Sequence, residues 1–225
     1  MVISKLTHPT QPLNQSSKSN IIYEHVRIDY DNQTVIHDFS ASIDTGQKTV
    51  FSGPSGSGKS TLMNALMGFV TLTQGRILLG DLEVNAQNIG KIRQQIAWLP
   101  QNLDLDVSSC RDVFNLPFQY LANKAHQPTE SQSQEMLKRL LLPNNILDKT
   151  VDEISGGQKQ RLMLASILLL PKPVLLLDEP TSALDTESAN QLLQIITEQG
   201  KTVISSSHDP FWVKNMDQVI EVNHA

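Results

Sequence analysis

Gly53-Pro54-Ser55-Gly56-Ser57-Gly58-Lys59-Ser60 is the stretch on which the reading of this chain turns. It fits the spacing Gly-x4-Gly-Lys-Ser, in which glycines let backbone amides point inward around an anion and a lysine follows within reach. Before it, Thr49-Val50-Phe51-Ser52 reads as a short buried strand. After it, Thr61-Leu62-Met63-Asn64-Ala65-Leu66-Met67 has helical spacing and Gly68 closes the helix. Strand, glycine-rich turn and helix in that order put the bound anion at a helix N-terminus, where the dipole favours negative charge. Phosphate is the anion this loop suits: Lys59 would neutralise the β- and γ-phosphates of a nucleotide, and Ser60 would offer its hydroxyl to Mg²⁺.

Downstream, Val174-Leu175-Leu176-Leu177-Asp178-Glu179 is an apolar run that ends in two acids. A continuous apolar strand is expected in a parallel sheet covered on both faces, and ligands in such sheets bind at the carboxyl ends of the strands. Asp178 is therefore expected to help organise Mg²⁺, and Glu179 to face the attacking water as general base. A pair of helix-capping acids is the plain alternative, and the phosphate loop weighs against it. Ser155-Gly156-Gly157-Gln158 opens another helix with a good N-cap and two small residues, a second place where free amides can bind an anion. An ordinary capped helix would look the same. Gln101 and His208 each follow an apolar strand, and Tyr30 precedes the phosphate loop; on spacing alone, a solvated glutamine, a structural histidine and a surface tyrosine remain open for these three.

Around these motifs the chain alternates strand and helix. Residues 21–28 and 40–43 read as short antiparallel strands, and 96–99 as another buried strand. Helices are expected over 111–121 and 132–142, forming an all-helical block between residues 102 and 153. Helix 157–170, strand 174–178, helix 187–198, strand 202–206 and a terminal helix and strand follow. The expected fold is α/β: a mostly parallel central sheet, an N-terminal antiparallel β subdomain and an inserted helical subdomain at roughly 102–157. Residues 1–20 are expected to be a flexible polar tail, since Gln, Ser, Asn and Thr bury little apolar surface, and 21–225 a single domain.

Together these motifs resemble the ATPase subunits of ABC transporters. The resemblance rests on Ile154-Ser155-Gly156-Gly157-Gln158-Lys159-Gln160-Arg161, on Leu175 to Pro180, on Ser182-Ala183-Leu184-Asp185 and His208, and on the loop Gly53 to Thr61. It implies a P-loop NTPase that binds ATP with Mg²⁺ through Gly53, Pro54, Ser55, Gly56, Ser57, Gly58, Lys59, Ser60 and Thr61, with Tyr30 against adenine. It also implies Gln101 near Mg²⁺ and water, Lys59 and Glu179 in catalysis, and His208 on the γ-phosphate. Two such domains pair head to tail in that family, so Ser155, Gly156, Gly157 and Gln158 would serve the nucleotide of a second copy, and Asp185 would lie at the interface. Ile154 stands where leucine is commoner in the family, a conservative change.

Composition bounds the rest. A net charge of -5 argues against a broad nucleic-acid surface. The longest apolar run, 162–170, is about half of a membrane span, and Pro171-Lys172-Pro173 ends it. The start Met1-Val2-Ile3-Ser4-Lys5 has no hydrophobic signal core, and Cys110 stands alone, so a reducing, cytoplasmic setting is expected. The resemblance then implies a separate integral membrane permease as partner, with this chain peripheral on the cytoplasmic face of the cell membrane and the helical block docking the permease. Residues 93–96 and 142–147 look similar to small ATPases paired with iron-export permeases. A soluble ABC ATPase, such as one of iron-sulphur cluster assembly, is the alternative; the absence of a long heptad coiled coil argues against a repair ATPase.

Overall fold

The computed structural model describes residues 19–30, 33–101 and 107–223. The polar stretch expected to be a tail therefore lies, through residue 18, outside the described residues, as do 102–106 at the start of the helical block.

Two sheets are built from the N-terminal half onward. β1 (Ser19–Tyr30) pairs antiparallel with β2 (Gln33–Asp44), both longer than the sequence pattern suggested. Alternation along β1 slips at His25, whose φ is +48°: Tyr23 and Val26 are both buried, and the register shifts between them, as a bulge requires. That slip hides the strand's full length from a period-two reading. β3 (Lys48–Ser52) leads into the glycine loop and α1 (Lys59–Leu66) follows, with Gly68 at φ +66° donating its N–H to the Ala65 carbonyl where the helix stops.

β4 (Gln74–Leu79) and β5 (Leu82–Glu83) were not anticipated. They pair antiparallel across Gly80-Asp81, and β4 also pairs with β1, so this sheet runs β2-β1-β4-β5. The two-residue Gly-Asp connection was the available hairpin signal. α2 (Ile89–Arg93) and β6 (Ile96–Leu99) follow.

The helical block contains α3 (Cys110–Gln119) and α4 (Glu130–Arg139), each starting and ending slightly before the apolar pattern. Caps set the starts: Ser109 Oγ accepts from the Asp112 N–H, and Thr129 forms a reciprocal box with Gln132. α5 (Gly156–Leu169), β7 (Val174–Asp178), α6 (Thr186–Gln199), β8 (Thr202–Ser206), α7 (Pro210–Lys214) and β9 (Gln218–Glu221) complete the chain.

The second sheet is parallel throughout, in the order β6-β7-β8-β3-β9. β7 and β8 are central, and every residue of both is buried. Alternation distributes their side chains to two cores. Leu175, Leu177 and Val203 pack with α3, α4, α5 and α6, while Leu176 and Ile204 pack with α1 and the antiparallel sheet through Phe51, Leu62 and Tyr23. Tyr23, Phe39 and Phe51 meet edge to face at centroid distances of 5.4–5.9 Å and join the two sheets. With both faces covered, the carboxyl edge of the sheet is left open, and β3, β7 and β8 lie side by side there.

Candidate active site

The glycine loop runs from the end of β3 to the first turn of α1. Gly58 caps that helix at φ +99°, and a Cβ on it would come within 2.6 Å of Ile36 Cδ1. On Gly53 a Cβ would stand 2.1 Å from the Val222 carbonyl oxygen. Side chains are thus excluded on both flanks, and the backbone itself forms the cradle, at the positive end of a helix dipole. Lys59, nearly buried, donates from Nζ to the carbonyls of Gly53 and Pro54, 2.8 Å each, which holds its ammonium over the loop. Ser57 Oγ is buried without a hydrogen-bond partner among the described residues.

Facing the loop is the acid pair. Asp178 Oδ1 accepts from Ser60 Oγ at 3.0 Å and from Ser206 Oγ. Hydroxyl and carboxylate brought together are hard oxygen donors of the kind that suit Mg²⁺ rather than a soft transition metal, and few protein ligands are what a phosphate-bound Mg²⁺ uses. Glu179 turns the chain out of β7 with φ +48°, a left-handed conformation that costs a residue with a side chain about 1–3 kcal/mol unless its surroundings enforce it. Its N–H donates to Ser206 Oγ at 3.0 Å, and its Oε1 lies 3.1 Å from Nδ1 of His208, whose ring is mostly exposed.

Of the residues singled out from sequence, Gly53, Pro54, Ser55, Gly56, Gly58, Lys59, Ser60, Thr61, Gln101, Glu179 and His208 line one cavity of about 490 Å³. Asp178 stands at its wall through Ser60. Ser182, which sequence reasoning left out of the site, lines it too. Ser206 was also missed, although a serine run, Ser205-Ser206-Ser207, inside an otherwise apolar strand was a visible signal.

Besides Asp178, the expected participants Tyr30, Ser57 and the turn Ser155 to Gln158 are not among the residues lining that cavity. Tyr30, at the end of β1, is 46% exposed. Ser155 caps α5 in a reciprocal box with Gln158 (Gln158 N–H to Ser155 Oγ, 3.2 Å; Ser155 N–H to Gln158 Oε1, 3.0 Å), with Ser155 and Gly156 exposed. Gly157 backs onto the segment after β7, where a Cβ would meet the Ala183 carbonyl oxygen at 2.4 Å. Asp185 caps α6 by accepting from the Ser188 N–H at 2.7 Å, and that bond holds its carboxyl below the usual range.

Comparison with known proteins agrees with this geometry. A family model described as ABC transporter matches residues 36–182. The uncharacterized ABC transporter ATP-binding protein YwjA of Bacillus subtilis is 32% identical over 216 residues, which are 92% of this chain and 37% of that protein. An ATP-dependent lipid A-core flippase of Sodalis glossinidius is 31% identical over 218 residues, 91% of this chain and again 37% of the relative. The chain therefore spans little more than a third of the length of these two relatives. Among solved structures, a dimeric bacterial ABC transporter cassette superposes with a TM-score of 0.76 at 26% identity, covering 90% of this chain and 94% of that one. An α/β P-loop fold, a glycine cradle facing two acids at the carboxyl edge of a parallel sheet, and a family match across most of the chain agree: the protein belongs to the ABC transporter family, as an ATP-binding cassette.

Proposed function

We propose that this chain drives a membrane transporter by closing as a head-to-tail pair around ATP and hydrolysing it. The observation that carries the reading is the carboxylate of Glu179 inside the glycine-loop cavity, 3.1 Å from His208, with Ser60 and Asp178 beside it. Lys59 and the loop amides bind the phosphates, and Thr61 follows them into the helix. Ser60 and Asp178 would hold Mg²⁺, which would supply charge neutralisation at the phosphate oxygens. Glu179 takes the proton of the attacking water, His208 orients the γ-phosphate end, and Gln101, after the end of β6, would serve the metal and the water. Tyr30, exposed at the end of β1, is the residue to stack on adenine.

The turn Ser155 to Gln158, exposed at Ser155 and Gly156, is not among the residues lining this chain's own cavity, which supports its use on the nucleotide of a second copy. Among the described residues no helix is long and apolar enough to cross a membrane. We assign the membrane passage to an integral permease partner, on whose cytoplasmic face this protein works, because the chain belongs to the ABC transporter family. Iron is the cargo to test first, on the likeness of residues 93–96 and 142–147 to ATPases of iron export; Leu142, Ile146 and Leu147 are buried in the cassette's own core, so cargo choice rests with the permease.

Glu179→Gln removes the base and keeps the shape. Turnover should fall by about 100-fold or more while ATP affinity stays within about twofold, read by phosphate release and nucleotide titration. Unchanged turnover would remove Glu179 from the mechanism.

A further inference from the structure

Glu179 is held by two elements and a loop residue at once. Its N–H donates to the Oγ of Ser206 at 3.0 Å and to the Ser206 carbonyl at 3.2 Å, both at the end of β8. Its own carbonyl accepts from Nε2 of Gln160 on α5 at 3.1 Å, and its carboxylate meets His208. The first two holds act on the peptide rather than the side chain. They therefore set the left-handed backbone, φ +48°, and with it the direction in which the carboxylate leaves.

Gln160 is the less expected of the two. It is 7% exposed, and its Oε1 is buried without a partner among the described residues. A buried amide that uses half of its capacity is costly, so packing alone would be served better by an apolar side chain of the same length. The one bond it makes goes to the acid. Its helix also touches the far end of the same segment, because Gly157 lies against the Ala183 carbonyl. The segment from 179 to 183 is thus fixed at both ends to the first turns of α5, whose outer side carries Ser155.

We infer that Gln160 is a positioning residue for ATP hydrolysis, whose amide bond fixes the strained peptide of Glu179 and ties it to the turn that begins α5. The inference rests on Glu179 being the general base. It gives that base a dependence on the Ser155 turn: movement of the turn when a second copy's nucleotide engages it reaches this chain's own acid through Gln160.

Gln160→Met in the full chain removes the donor and keeps length and helix preference. The expected result is a kcat lower by about 10- to 100-fold, with KM and ATP affinity within about twofold. In the Glu179→Gln background the same change should lower residual turnover by less than about twofold, because no base is left to position. Gln160→Leu, expected to behave alike, carries the test if the methionine variant does not fold. Turnover at the parent rate, or an equal fold-loss in both backgrounds, overturns the inference and leaves the base in place. Undiminished turnover in Glu179→Gln alone overturns the base and this inference with it.

Discussion

Gly157 is a residue whose constraint changes in kind once the fold is known. In the sequence it is one of two small residues in a capped turn; in the structure its missing side chain is what lets α5 approach the backbone at Ala183. Even Gly157→Ala places a carbon 2.4 Å from a carbonyl oxygen, so the turn or the segment must shift. No atom of the loop 53–61 lies within 4 Å of a Cβ at Gly157 among the nearest contacts, which are Ala183 atoms. ATP affinity of the single chain should therefore stay within about twofold while turnover falls at least about tenfold. Titration with a fluorescent nucleotide and a phosphate-release assay check this, and equal turnover in variant and parent would show the close approach to be dispensable. At this scale much of the site was legible, since Lys59, Ser60, Asp178 and Glu179 stand in contiguous patterns with local chemical meaning. The left-handed backbone of Glu179, and the side chains of Ser206 and Gln160 that hold it, were not legible. They come from 27 and 19 residues away in the chain, and no local period encodes such pairings.

Helix α5 shows how an element is secured at its two ends by different means. Its beginning is closed by its own Ser155–Gln158 box, which the sequence announces. Its middle, from Leu162 to Leu168, is buried all round, as expected of a helix between a sheet and other helices. Its end depends on residues at and just past the end of the next helix: Lys201 Nζ donates to the carbonyls of Leu168 at 3.2 Å and Leu170 at 2.8 Å, and Gln199 donates to Leu168 as well. Burial lowers the Lys201 ammonium to about 8. Below that pH folded and unfolded chains both carry the proton, and the fold bears the desolvation cost in full. Between about 8 and the unfolded value near 10.4 only the unfolded chain keeps it, so the contribution of this residue to stability rises with pH across that window. Lys201→Met abolishes the titration. Denaturant unfolding of both proteins at about pH 7.5 and about pH 9.5 should show the difference moving in the parent's favour at the higher pH, and a difference independent of pH would contradict the assignment.

For the whole molecule, the order β6-β7-β8-β3-β9 is what makes a site out of separate motifs. It sets the end of β3 beside β8 and the end of β7 on the other side of β8, so loop, Glu179 and His208 share one cavity, with Asp178 joined to it through Ser60. Ser155 is exposed and is not among the residues lining that cavity, which supports the proposed use of its turn by a second copy. Affinity capture of the tagged chain from detergent-solubilised membranes should recover an integral membrane protein in about stoichiometric amount. Recovery of the chain from cytosol alone, with no membrane partner, would favour a soluble ABC ATPase instead. Sequence by itself determined the strand–loop–helix unit, the central apolar strands, most helices to within three residues and the chemical identity of the acids. Those features are written in contiguous residues, where period, caps and turn chemistry act locally. Tertiary structure alone decided the strand order, the added β4–β5 hairpin in the antiparallel sheet, and the two side chains that clamp Glu179. Each of these depends on which distant segments share a face or an edge, and that is settled by joint burial of two cores rather than by any local pattern.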